Sequence, residues 1–331
     1  MRKLLLGTTA LVASGALLAN AAVADVSISA ATEWSYSSRS SNVTANDGTT
    51  FGTDSEIKFS FTNKTDSGLT IGYDVELESD ATTAGGADNM VDESSLSISG
   101  GFGKIVLGMN DSVGDNYGVA STDLPSEESS PSVTSASIGT STDISGMEGD
   151  ANKISYHLPA MGGLTVGASF TDSGAVGSTD TTTFGFNYAM DAGGTAVTIG
   201  GATATTEATT TDTDAQNLGV KIVSGNLSFI ASQSHLETVD DDIESTGVAV
   251  SYKMANGMVL VAHTMKSEDD LEAGEEYTKS GVELQYVVAA GLTAVINVDD
   301  YEYTAATTPN ASGTATSDSG TVSKLTLKAS F

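Results

Sequence analysis

Between residues 110 and 150 the chain carries Asp111, Asp115, Asp123, Glu127, Glu128, Asp143, Glu148 and Asp150. From Asp111 to Asp150 it has no Lys, Arg or His. A path lined by such carboxylates attracts cations and repels anions. Other acids cluster as Asp240-Asp241-Asp242, Glu268-Asp269-Asp270 and Glu275-Glu276. Hard oxygen ligands of this kind suit Ca²⁺ or Mg²⁺. No EF-hand spacing accompanies them, so a solvated charge run is the simpler reading, and no cofactor is required. A catalytic constellation is not visible. His157, His235 and His263 are far apart, no His-x-x-x-His pair exists, and there is no Gly-x-Ser-x-Gly elbow. The chain is therefore read as a non-enzyme. With 13 Lys+Arg against 43 Asp+Glu and a net charge of −30, it would repel a nucleic-acid backbone. The absence of Cys excludes a disulfide scaffold and a Cys-based zinc site.

The elements that position these groups are strands. Leu69, Ile71, Tyr73, Val75 and Leu77 share one face of residues 69–78, and Thr70, Gly72, Asp74, Glu76 and Glu78 share the other. At about 3.3 Å per residue and a tilt near 40°, ten residues rise roughly 25 Å, the height of the apolar band of a membrane barrel. The same alternation recurs around Phe59, Val166, Phe186, Leu284, Ile296 and Leu327, whereas residues 194–206 and 257–267 alternate poorly. Short connections near 64–68, 100–103, 159–163, 191–194, 224–226, 255–257 and 289–291 alternate with long polar ones. The longest of these is 110–150. This layout predicts an all-β fold, a 16-stranded antiparallel transmembrane β-barrel with long extracellular loops and short periplasmic turns. So wide a barrel with a polar inner face encloses water. A soluble barrel or sandwich would not need the loop asymmetry.

Alternation places Lys58, Asp74, Glu76, Lys153, His157, Lys221, Lys253, Glu283, Lys324 and Lys328 on the pore wall. Trp34, Tyr36, Tyr252, Tyr301 and Tyr303 are expected on the outer face, as an interfacial girdle. Residues 1–24 read as a secretory signal: Arg2-Lys3, an apolar run, then Ala22-Val23-Ala24. Residues 25–331 are then the barrel domain.

Residues 92–110, Asp-Glu-Ser-Ser-Leu-Ser-Ile-Ser-Gly-Gly-Phe-Gly-Lys-Ile-Val-Leu-Gly-Met-Asn, resemble a strand–Gly-Phe-Gly–strand hairpin of Gram-negative general-diffusion porins, the alphaproteobacterial branch above all. Residues 151–170 resemble the hairpin that follows the third loop in that family, and the terminal Phe331 resembles its assembly signal. The resemblance implies a homotrimer in the cell outer membrane, in contact with lipid and lipopolysaccharide, passing small hydrophilic solutes and ions. It also implies a third loop, 110–150, folded inward as the pore constriction. One departure stands out: many relatives set an Arg cluster opposite this loop, but beyond residue 24 this chain has Arg39 alone. Lys is a mobile point charge, not a rigid fork. The expectation is a mild preference for cations. The alternative is an acidic, cation-stabilised surface structural or adhesive β protein.

Overall fold

The alternation at residues 69–78 is realised as a strand, Thr70–Glu78, with Ile71 and Tyr73 exposed on its outer side. It is one of sixteen in a computed structural model. The structure describes residues 25–78, 91–127, 138, 141–144, 149, 151–172, 179–207, 212–306 and 317–331. The signal segment and the loop acids Glu128, Glu148 and Asp150 lie outside the described residues.

In chain order the strands are β1 (Asp25–Ser41), β2 (Gly48–Lys64), β3 (Thr70–Glu78), β4 (Val91–Gly100), β5 (Gly103–Met109) and β6 (Asn152–His157). There follow β7 (Leu164–Thr171), β8 (Asp180–Asp191), β9 (Thr195–Glu207), β10 (Thr213–Ser224) and β11 (Leu227–Glu237). The last are β12 (Asp242–Lys253), β13 (Val259–Asp269), β14 (Glu276–Ala289), β15 (Leu292–Thr304) and β16 (Asp318–Ser330). Each pairs antiparallel with its sequence neighbours, and β1 pairs with β16, closing the barrel. Closure leaves no strand edge unpaired in the membrane. No helix among the described residues is long and apolar enough to cross a membrane. The short connections are tight turns, where Gly68, Gly225 and Gly257 take the positive φ that costs other residues strain. The first connection on the loop side spans only residues 42–47, since β1 runs to Ser41 and β2 starts at Gly48.

The weakly alternating stretches are β9 and β13. Their inner faces carry Gly200, Ala202 and Ala204, and Val261 and Met265, all of which are buried. That is why the alternation is weak in both, although His263 and Ser267 share the inner face of β13. Tyr301 and Tyr303 correct the girdle expectation. Val298 keeps the outward phase of β15, so both tyrosines point inward. They pack with Ile138, Ile243, Tyr277 and Val322. Trp34, Tyr36 and Phe51 do form an outer aromatic group, with ring centroids 5.6 and 5.2 Å apart. Tyr252 is also exposed outside.

Candidate functional site

The inner wall from β7 to β12 carries a row of small residues. Gly167 pairs with Gly185 across β7 and β8. Gly200, Gly219, Ser232 and Gly247 pair in sequence across β9 to β12. A Cβ on Gly167 would collide with the Tyr117 ring, on Gly185 with Val113, on Gly200 with the Tyr117 carbonyl, on Gly219 with the Val119 carbonyl and on Gly247 with the Ser121 hydroxyl. The third loop therefore lies in a track cut by missing side chains. Its first part is a short helix, α1 (Val113–Tyr117), capped by Ser112, whose Oγ accepts from the Asp115 N–H at 2.9 Å. A 3₁₀ turn, Ser121–Asp123, follows. Asn217 donates to the carbonyls of Val119 (3.3 Å) and Thr142 (2.5 Å). The Ser121 N–H donates to Ser232 Oγ at 2.7 Å. Tyr117 Oη lies 2.8 Å from His157 Nδ1.

Farther on, the loop is bolted to β14 and β16. Glu283 accepts from the backbone N–H groups of Ser126 (2.9 Å) and Glu127 (2.8 Å). The Glu127 carboxylate lies 2.6 Å from Lys324 Nζ and 2.5 Å from Lys328 Nζ, and accepts from Thr326 Oγ1 at 2.9 Å. Burial pushes the Glu127 carboxyl up, but the two lysines and the threonine outweigh it and hold it below the usual carboxylate value. Lys153 is buried and donates to the Asn110 and Gly149 carbonyls, tying the loop's two ends together.

This arrangement changes the reading of the charges. Lys153, His157, Glu283, Lys324 and Lys328 point inward and Glu127 reaches from the loop to the wall, so these groups dock the loop instead of facing one another across open water. Asp111, Asp115, Asp123 and Asp143 keep exposed positions on the loop. Asp123 accepts from the Ala120 N–H at 3.0 Å. Surrounding wall raises its carboxyl, an effect that Lys221 of β10 partly offsets. Lys253 is exposed at the turn end of β12.

The loop's described bonds and packing fall on β6–β12 and β14–β16. Facing them across the lumen, the inner face of β2–β4 presents Asp54, Glu56, Asp74, Glu76, Glu78 and Glu93, with Lys58 among them. Lys58 Nζ sits 2.6 Å from Glu76 and 3.7 Å from Glu93. Carboxylate oxygens of Asp54, Glu56 and Glu78 lie within 4.8 Å of one another, and so do those of Glu56, Glu76 and Asp92. Such crowding raises the local negative potential and draws in counter-ions. Of this wall, the alternation in sequence marks Lys58, Asp74 and Glu76 as pore residues and puts Glu78 on the same polar face. The inward Gly in β7–β10 was the signal for the loop's seat.

No comparable three-carboxylate group forms among Asp240, Asp241, Asp242, Glu268, Asp269 and Asp270. Asp269 instead caps the N–H groups of Asp242 (3.1 Å) and Leu271 (2.8 Å). Asp242 pairs with His235 at 2.6 Å on the outer face. His263 pairs with Asp299 at 2.6 Å, buried on the inner wall. Arg39 lies two residues before the end of β1, next to the first loop, with Nη2 2.5 Å from Asp318 and Nε donating to Tyr301 Oη at 2.8 Å. Phe331 is 82% exposed, and its N–H donates to the Ala30 carbonyl at 2.9 Å.

A family profile described as Gram-negative porin matches residues 7–328. No curated protein matches the chain. Among solved structures, the chain is similar to OmpT of Vibrio cholerae in a trimer form. Identity is 14% and the TM-score 0.68, over 93% of this chain and 99% of that one. It is also similar to an anion-selective porin from Comamonas acidovorans: 18% identity, TM-score 0.65, over 93% of this chain and 100% of the other. A mutant of the Rh. blastica porin gives 17% identity and a TM-score of 0.67, over 93% and 100%.

Proposed function

From the premise that the chain belongs to the Gram-negative porin family and is an integral outer-membrane channel for passive diffusion, we propose that it passes small hydrophilic solutes and prefers cations to anions. The observation that carries this is the composition of the wall opposite the loop. Asp54, Glu56, Asp74, Glu76, Glu78 and Glu93 outnumber Lys58 there, while Lys324 and Lys328 are spent on Glu127. A constriction with carboxylates on both the loop and the wall focuses a negative potential where the path is narrow. Passage is diffusive and calls on no cofactor; acidic groups at the rim would hold Ca²⁺ or Mg²⁺ only loosely. The trimer form described for the Vibrio cholerae relative supports a homotrimer set in lipid and lipopolysaccharide. The first 24 residues serve as a removable secretory address.

The test is the reversal potential of the purified protein in a planar bilayer under a salt gradient. A cation-leaning potential is expected, collapsing toward zero in the triple variant Glu56→Gln, Glu76→Gln, Glu78→Gln. An anion-leaning potential would sink the selectivity while leaving the channel intact.

A further inference from the structure

The ionisable groups of the lumen are sorted along its axis. Toward the loop end, the inner face of β2–β4 carries Asp54, Glu56, Glu78 and Glu93. Arg39, the inward cation at that end of β1, is taken by Asp318. Toward the turn end the inward charges are lysines. Lys64 ends β2 on the face of Lys58, and Lys104 lies at the start of β5, in register with His157 of β6. Lys253 ends β12 on the face of Ser251. Lys221 lies two residues nearer the turns than Gly219, where the third loop rests. Lys64, Lys104 and Lys253 are exposed, and none of these lysines forms an ion pair among the described residues. Asp25, Asp66 and Asp191 stand at the same end, and Asp191 accepts from the Gly194 N–H at 3.0 Å. The turn end is thus close to balanced, while the loop end is strongly acidic.

Mobile ions follow fixed charge. A voltage that drives cations from the loop end to the turn end lets them enter readily at the carboxylates, while anions enter readily past the lysines. Mobile charge then accumulates in the lumen. Under the opposite voltage, cations leave the acidic end and the lysines hinder their replacement from the turn side, so the lumen is depleted. The two directions conduct unequally even with the same salt on both sides. We propose that the lumen is a rectifier that passes cations from the loop end to the turn end more readily than back, with Lys64, Lys104, Lys221 and Lys253 setting the step in charge. This rests on the cation preference proposed above and adds a direction to it. Transport stays passive, because equal salt at zero voltage gives no net flow.

The experiment is the current–voltage curve of the purified full oligomer in a planar bilayer, with the same salt on both sides. At about 0.1 M the screening length is about 10 Å, so lumenal charge is still felt. Gly101→Cys, at an open turn of a chain with no other cysteine, reports orientation. A thiol reagent too large for the pore steps the current only when added on the turn side. The current is expected to be larger when the loop-side compartment is positive. The asymmetry should vanish in about 1 M salt, where the screening length falls to about 3 Å. The triple variant Lys64→Glu, Lys104→Glu, Lys253→Glu makes both ends acidic and should lose the asymmetry while its reversal potential still leans to cations. A symmetric wild-type current at low salt, asymmetry of the opposite sign, asymmetry that survives 1 M salt, or unchanged asymmetry in the triple variant would each overturn the inference. The salt series on the wild type decides the matter even where the variant does not assemble. A cation-leaning reversal potential with a symmetric current fails this inference alone. An anion-leaning potential fails the reading on which it rests.

Discussion

Glu127 in the third loop and Lys324 on β16 stand 2.6 Å apart although 197 residues separate them in the chain, and Lys328 holds the other carboxylate oxygen at 2.5 Å. This clamp fixes the loop's far reach. Glu127→Gln keeps the shape but loses the charge, at a cost on the order of 2 kcal/mol for hydrogen bonds to a charged group. Single channels of the variant should flicker between conductance levels where the wild type is steady. The clamp also has a pH sign. The folded carboxyl is held below its unfolded value, so its stabilisation is full above the ordinary carboxylate pKa and fades as pH falls through the lowered one. Wild-type channels should begin to flicker only in that acid range. Equal steadiness of both proteins at every pH would rule the clamp out.

The glycine track makes a steric prediction. Gly219→Val puts side-chain atoms where the Val119 carbonyl lies. Overpacking of this kind costs about 1–3 kcal/mol, and the loop can relieve it only by moving toward the pore axis. Conductance should fall while the barrel still migrates as a heat-dissociable oligomer. Gly101→Ala, at an open turn where an added Cβ meets nothing and φ is not positive, serves as the control. Unchanged conductance in Gly219→Val would mean that the loop does not rest on the track.

How much of this was legible in sequence depended on where each contact partner lies. Strand β3 announces itself, because lipid outside and water inside act on every second residue of the same short segment. Strand β9 does not, because the loop covers its inner face and replaces the polar residues with Gly200, Ala202 and Ala204. Tyr301 and Tyr303 misled as aromatics near a strand end, although the phase of Ile296 and Val298 already sends them inward. The loop acids were visible, but their fates were not. Whether Glu127 faces water or a lysine is decided by β16, at the other end of the chain, and no local pattern records that. The acids of β2 and β4 join those of β3 only when the three strands pair, so no single segment of the chain displays the cluster.

Lys58 is the cation within that wall, shared between Glu76 and Glu93. Lys58→Gln releases both carboxylates to the lumen without opening a cavity, since the lysine itself reaches water. Cation preference should rise above wild type in the same reversal-potential measurement, and high salt should erase the difference by screening. A variant less cation-selective than wild type would place the selecting charges elsewhere.

Arg39 closes the seam where the first and last strands meet. Its fork reaches Asp318 through Nη2 and Tyr301 through Nε, and Asn46 donates to the same Asp318 carboxylate at 2.7 Å. Lys cannot reproduce two divergent donors. Arg39→Lys should lower the temperature at which the detergent-solubilised barrel opens, and Arg39→Met should lower it further. The methionine variant leaves Asp318 buried without its cation, a loss of about 3 kcal/mol. If the two variants melt alike and like wild type, the seam draws its strength from backbone pairing alone.

Glu275 gives the extracellular rim a pH dependence opposite to that of Glu127. Burial pushes its carboxyl up, and Glu272 and Asp269 add to this against the hydrogen bond from Tyr303, carrying it from 4.5 to about 7. Tyr303 Oη donates to Oε1 at 2.5 Å, and Oε2 is buried without a partner among the described residues, so a proton there removes an uncompensated charge. The folded barrel thus holds a proton that the unfolded chain gives up. Its contribution to stability is complete below about 4.5 and is lost as pH rises toward 7. Glu275→Gln mimics the protonated form and keeps the Tyr303 contact. Thermal opening of the two proteins should coincide near pH 4.5, and the wild type should fall behind the variant by pH 8. A wild type that gains on the variant with rising pH would show instead that the ionised carboxylate has a cationic partner.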